Sequence, residues 1–163
     1  MPSKKQFLPP AETRLRSAIK CVICLEDFGT LTIPYGARTP ELMLFRDEFE
    51  NWRKHAQLEV IAEEAGPGWP GRTGLLTSLF DTVALSPAGT QVMVCGPPVM
   101  FSFVLGRLEE RHFDDSQIYV SLERNMRCGV GKCEHCVVEN FYTCCVGPVL
   151  SVERIRGVSS ALR

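Results

Sequence analysis

The sequence predicts an α/β fold, a parallel-sheet layer domain followed by a small C-terminal cysteine loop unit. Three observations carry this. Helical and extended signals alternate from about residue 14, with no repeat or low-complexity tract between them. Short apolar runs such as residues 91–94 suit strands buried inside a layered sheet. After about residue 124 the composition changes to a segment rich in cysteine. A chain of 163 residues with 45% hydrophobic composition has room for one ordinary domain and a small appendage.

In chain order, residues 14–26 read as a helix. Cys21 and Cys24 lie in its apolar stretch, and although their C-x2-C spacing invites a redox or metal role, no second pair is near. They are read as buried thiols acting as small hydrophobes. Residues 30–35 read as a strand, and Thr39 as an N-cap with Pro40 at the first helical position. Leu42, Phe45, Phe49 and Trp52 then recur at helical spacing, opposite Arg46, Asp47, Glu50 and Arg53. One stripe of that helix packs on a sheet and the other is solvated. Residues 58–62 form a strand, and residues 66–71 (Gly-Pro-Gly-Trp-Pro-Gly) an exposed loop. A short helix over 74–80, a buried strand over 91–94, a proline-opened helix over 98–112 and a last strand over 117–122 follow. His55 and His112 end amphipathic helices, where a positive charge suits the dipole. The divisions expected are a tail (1–13), the α/β domain (14–123), the cysteine unit (124–155) and a second tail (156–163).

With 18 basic and 19 acidic side chains interspersed, the chain lacks the electrostatic footprint of a nucleic-acid or anionic-membrane binder. No apolar run is long enough to span a bilayer, and the first ten residues lack the apolar core of a signal peptide. The expectation is a soluble cytoplasmic protein. No serine, histidine and carboxylate set suggests a hydrolase.

Cys128, Cys133, Cys136 and Cys144 fall in the pattern C-x4-C-x2-C-x7-C, the plant-type ligand spacing of a 2Fe-2S cluster. Such a cluster needs four thiolates around one small volume and backbone N–H groups aimed at its sulfurs. Gly129 and Gly131 lie between the first two cysteines, where freedom to adopt positive φ lets the backbone wrap closely. A structural zinc site is the competing assignment, but it favours two short C-x2-4-C knuckles and this segment has one. Disulfides fit poorly with a reducing compartment. His135, between two of the ligands, is read either as a modulator of cluster potential or as a simply exposed side chain.

Several stretches together resemble the C-terminal part of ferredoxin-NADP reductase-like flavoproteins. They are Tyr35-Gly36-Ala37-Arg38-Thr39-Pro40-Glu41, Gly68-Trp69 with Gly71, Cys95-Gly96-Pro97-Pro98-Val99-Met100, and the cysteine segment with Gly147-Pro148-Val149. The likeness spans roughly residues 14–155. It is greatest to the electron-transfer subunit of dihydroorotate dehydrogenase and the gamma subunits of cytoplasmic nickel-iron hydrogenases or sulfhydrogenases; a component of anaerobic sulfite reductase looks similar.

The resemblance implies an FAD-holding barrel, a domain presenting NAD(P)H to the flavin, and a terminal 2Fe-2S loop domain. It places Gly36 and Arg38 facing the dinucleotide and Cys95, Gly96 and Pro97 near the nicotinamide. A tight turn with a buried thiol also explains the latter, and a solvated arginine the former. It makes Cys144, three residues before Gly147, the fourth ligand in preference to Cys145.

The family's first strand and glycine turn would precede a segment like Leu15-Arg16-Ser17-Ala18-Ile19, where residues 7–14 stand without a glycine. Pyrophosphate binding uses such a turn, so the resemblance implies an incomplete parallel-sheet nucleotide-binding domain of the ferredoxin reductase-like kind. FAD and NAD(P) are therefore family cofactors not expected to bind this chain alone. The expected role is an iron–sulfur relay of single electrons between flavin, on a separate FAD-binding polypeptide, and a partner oxidoreductase subunit. The alternatives are an inactive remnant of such a reductase and a structural zinc or interaction module.

Overall fold

The computed structural model describes residues 20–26, as backbone, and residues 30–158. Its main sheet has seven strands: β1 (Lys20–Glu26), β2 (Thr30–Ala37), β3 (Gln57–Ala62), β4 (Arg72–Thr73), β5 (Thr90–Cys95), β6 (Ile118–Ser121) and, numbered later in the chain, β9 (Val149–Ser151). Their order across the sheet is β4-β3-β2-β1-β5-β6-β9. β2, β3 and β4 run parallel, as do β5 and β6, while β1 is antiparallel to both neighbours and β9 to β6.

The expected helix over 14–26 is therefore corrected for residues 20–26, which are a strand; residues 14–19 lie outside the described residues. Cys-Val-Ile-Cys-Leu is a short apolar run whose periodicity does not separate strand from helix. The gap between β2 and β5 presents two ladders of unmet backbone groups, and filling it satisfies both. The expected parallel pairing is present in β2–β3–β4 and in β5–β6, with β1 inserted antiparallel between them. Pro34 marks the join: the β1–β2 register includes Lys20, Cys21 and Cys24 to Glu26 and skips Val22 and Ile23, opposite the residue that has no N–H to donate.

The helix expected after Pro40 is broken in the structure. Tight 3-10 turns at Pro40–Leu42 and Arg46–Glu48 precede a single α-helical turn, α1 (Phe49–Trp52). Thr39 is extended and makes no side-chain cap to a backbone N–H. Phe45 enters the left-handed region at φ 56°, which interrupts the helical path. The stripe still packs partly as expected. Phe49 meets Tyr35 edge-on, with ring centroids 5.2 Å apart, and joins Ile33, Met43, Leu58 and Ala62 in a small core. Leu42 and Phe45, the other half of the stripe, are exposed. The Tyr35 hydroxyl accepts from the Leu44 N–H at 2.8 Å, which fixes the broken segment over the strand.

The larger core lies on the opposite face. There α2 (Pro98–Glu109) and a 3-10 segment, Leu76–Asp81, cover Val92, Val94, Ile118 and Val120 with Met100, Phe101, Val104, Leu108, Leu79 and Phe80. Each large side chain buried here contributes roughly 1.5–3 kcal/mol of transfer free energy. β5 alternates strictly: Thr90, Val92 and Val94 point into this core, and Gln91, Met93 and Cys95 are exposed on the other side. The short helix expected over 74–80 is thus a 3-10 segment that starts two residues later and ends one residue later.

The cysteine unit contributes a two-stranded ladder, β7 (Val137–Val138) with β8 (Phe141–Tyr142), a helical turn α3 (Thr143–Val146), β9, and a final turn α4 (Val152–Ile155). β9 hydrogen-bonds to β6, and Arg156 forms an ion pair with Asp115 and another with Glu109 at 3.6 Å. No helix among the described residues is long and apolar enough to cross a membrane.

Candidate functional site

Two groups of predicted residues sit at the C-terminal ends of the parallel strands, the edge where open α/β sheets bind ligands. Gly36 lies close to the end of β2, with Arg38 just beyond it. Cys95 ends β5, and Gly96 and Pro97 turn the chain into α2. β1 lies between these strand ends, with Lys20 opposite Gly36 and Cys21 opposite Cys95.

Packing alone accounts for Gly36. A Cβ there would lie 3.2 Å from Leu76 Cδ1 and 3.3 Å from Leu76 Cβ, so the 3-10 segment seats directly on it. Arg38 is exposed, and its Nε stands 3.7 Å from Glu64 Oε1. Glu63 and Glu64 follow β3, tied to the end of β2 by N–H donation to the carbonyls of Ala37 and Arg38 at 2.9 and 2.8 Å. Cys95 is exposed, contrary to the buried-thiol alternative. Desolvation of the thiol pushes its pKa up and the nearby Glu123 charge adds to this, against a hydrogen bond with Ser121.

The cysteine loop turns on its two glycines. Gly129 and Gly131 adopt φ values of 72° and 70°, the left-handed region open to glycine. This aims N–H groups at sulfur: Cys128 Sγ accepts from Val130 at 3.5 Å and Lys132 at 3.3 Å, and Cys144 Sγ accepts from Gly131 at 3.3 Å. Donation from Val130, Lys132 and Cys133 lowers the Cys128 pKa to about 6, making it a thiolate at pH 7. Cys136 is buried, and its carbonyl accepts from Thr143 Oγ1 at 2.9 Å and Thr143 N at 3.1 Å, which tethers α3 to the loop. His135 is exposed, with Nδ1 2.8 Å from the Cys133 carbonyl.

Cys128, Cys133 and Cys144 thus border one loop. Among the described residues, no group of three or more histidine, cysteine or carboxylate side chains is closed up to hold a metal ion. Cys145 is exposed, its Sγ 3.9 Å from that of Cys144, and receives no backbone N–H among these contacts.

The two groups are joined through the sheet. Cys95 pairs with Ser121 on β6, and Ser121 pairs with Val149 on β9, which follows the cysteine helix through Gly147 and Pro148. The sequence profile of the family described as Oxidoreductase NAD-binding domain matches residues 12–105, the part of the chain that forms this edge. The chain belongs to the oxidoreductase NAD-binding domain family.

Similarity to other members of that kind is broad. The chain is 33% identical over 155 residues to sulfhydrogenase 2 subunit gamma of Pyrococcus furiosus, covering 84% of this chain and 54% of that protein. It is 30% identical over 145 residues to the protein named probable dihydroorotate dehydrogenase B (NAD(+)), electron transfer subunit, of Methanocaldococcus jannaschii, covering 85% and 53%. A solved structure of the NADH-dependent reduced ferredoxin-NADP oxidoreductase aligns with a TM-score of 0.50 at 25% identity, over 78% of this chain and 45% of that one. The chain spans about half the length of the curated relatives it matches. The expected likeness is found in these comparisons: the relatives are a sulfhydrogenase gamma subunit and an electron transfer subunit of dihydroorotate dehydrogenase B, and the solved structure is a ferredoxin-NADP oxidoreductase.

Several neighbours of the predicted residues were not singled out from sequence: Glu64 beside Arg38, and Ser121 and Glu123 beside Cys95. The Glu63-Glu64 pair directly after a predicted strand was a usable signal, because strand ends of this sheet type line the ligand edge.

Proposed function

We propose that this protein is an iron–sulfur electron-transfer component of an NAD(P)H- and flavin-linked oxidoreductase, working in the cytoplasm beside partner subunits. The observation that carries the proposal is the set of backbone N–H groups converging on the Cys128 and Cys144 thiols from one glycine loop. Soft thiolates held by amide donors are the environment a 2Fe-2S cluster requires. Cys128, Cys133, Cys136 and Cys144 would hold it. When bound, the cluster supplies a carrier that takes up and gives off one electron at a time.

The chain's own residues do the rest. Gly129 and Gly131 let the loop approach sulfur, Thr143 fixes α3 against Cys136, and β9 couples the loop to the nucleotide edge. Gly36, Arg38, Cys95, Gly96 and Pro97 form that edge, with the Cys95 turn at its nicotinamide end. A hydride donor delivers two electrons and a cluster accepts one, so a flavin on a partner polypeptide belongs between them. The names of the relatives, gamma and electron transfer subunits, support a role within a larger assembly.

Oxygen-free purification with iron, sulfide and zinc analysis tests this. About two irons per chain and a reducible visible spectrum are expected for a 2Fe-2S protein. Colourless protein with one zinc would instead assign the cysteines to a structural site.

A further inference from the structure

We propose that the open side of β3 takes up an extended, acidic segment of a partner polypeptide as an added strand. Strand β3 has six residues and β4 two, and β4 pairs only with Ile61 and Ala62. Alternation along β3 fixes where its other backbone groups point. The Glu63 N–H donates to the Ala37 carbonyl on β2 and the Gly74 N–H to the Ala62 carbonyl, so odd-numbered residues turn towards β2 and even-numbered ones away from it. The Leu58 N–H and carbonyl and the Val60 N–H therefore face outwards. Among the described residues no backbone group meets them. Such an edge is a template for another strand.

The chain before β4 leaves this edge uncovered. Trp69 donates from Nε1 to the Arg72 carbonyl at 3.0 Å and lies so close over Gly71 that a Cβ there would come within 2.5 Å of Cζ2. The loop is folded on itself instead of running on down β3. What remains is a groove of about 530 Å³ beside Leu58 and Val60. Phe49, Leu58, Val60 and Trp69 line it and belong to one apolar cluster, which alternate side chains of an added strand would extend.

Charge decides the occupant. Arg46, Arg53 and Arg72 line the groove against Glu50 and Glu59, one positive charge in excess. Arg53 is held by Glu50 at 2.5 Å and Arg72 by Thr82 Oγ1 at 2.8 Å. Arg46 reaches the Pro40 carbonyl at 3.5 Å and forms no ion pair among the described residues, which leaves it to receive a carboxylate. A second copy of this chain fits badly. Two-fold antiparallel pairing that uses both Leu58 and Val60 must centre on Glu59, and like charges directly opposite each other are destabilising. The surface also lies at the end of the sheet opposite β9, so a partner held here leaves the cysteine loop uncovered.

Hydrogen exchange resolved to single amides tests this, comparing the chain alone with the complex in which it copurifies with a flavin-bearing partner; that partner is taken from the function proposed above. The Leu58 and Val60 amides should exchange about tenfold or more slowly in the complex. Val60→Pro removes one outward N–H, which an edge strand tolerates. It should abolish the protection of Leu58 and weaken the complex while leaving iron per chain unchanged. Arg46→Glu, at an exposed position, should weaken the complex severalfold.

Unchanged exchange of both amides in the complex, or complexes of both variants as tight as wild type, would overturn the strand addition and leave the proposed function standing. Protection that appears in the isolated chain as its concentration rises would give the edge to a second copy and overturn it as well. Failure to copurify with any flavin-bearing polypeptide would refute the proposed function, and this inference with it.

Discussion

The Gly131 N–H donates to the Cys144 thiol at 3.3 Å, joining the first cysteine loop to the last cysteine of the motif. Both ends of this contact are constrained. Gly131 sits at φ 70°, and a Cβ on it would lie 2.8 Å from Cys145 Sγ and 3.4 Å from the Tyr142 ring. A non-glycine residue in the left-handed region costs about 1–2 kcal/mol before any clash. Gly131→Ala should therefore lower iron retention severalfold. Gly129→Ala, equally left-handed but with nothing within 4 Å of its Cβ, should lose less. Iron content after anaerobic gel filtration ranks the two.

The same contact separates the adjacent thiols. Cys144 receives a backbone N–H, while Cys145 packs against the glycine. Cys144→Ser is expected to abolish the EPR signal of reduced protein and Cys145→Ser to leave it. The reverse pattern would move the fourth ligand to Cys145.

Thiol chemistry without iron should show the electrostatics. Amide donation holds the Cys128 pKa at about 6, while desolvation, reinforced by Glu123, raises that of Cys95 above its usual value. A lowered thiol pKa keeps the reactive thiolate present above it and loses it as pH falls through it. Iodoacetamide labelling of iron-free protein at pH 7 should therefore modify Cys128 well before Cys95. The Cys128 rate should fall with a midpoint near pH 6. Faster labelling of Cys95 would contradict the hydrogen-bond account.

Gly36 gives a prediction about stability. Leu76, 3% exposed, must move by a few tenths of an ångström to admit a Cβ there. Overpacking of this kind costs about 1–3 kcal/mol. Gly36→Ala should lower Tm while leaving the iron content per folded chain unchanged. An unaltered Tm would show that this glycine is kept for the ligand edge and not for packing.

The two loop glycines were legible in the sequence because positive φ is a local requirement, set within a few residues. Strands β2, β3, β5 and β6 and helix α2 were legible for the same reason, from apolar runs and a proline at a helix start. Residues 20–26 were not, because Cys-Val-Ile-Cys-Leu suits either structure and the choice lies with the gap between β2 and β5. The stripe after Pro40 misled through Phe45, whose left-handed backbone no periodicity reveals. Glu64 beside Arg38, and Asp115 beside Arg156, are meetings of distant segments that depend on sheet register and loop path.

The most direct measurement is iron and acid-labile sulfide per chain in oxygen-free material, read beside the EPR of the dithionite-reduced protein. The account predicts about two irons and two sulfides per chain and a one-electron signal. Protein that carries no iron, with Cys128, Cys133, Cys136 and Cys144 all titrating as free thiols, would contradict it.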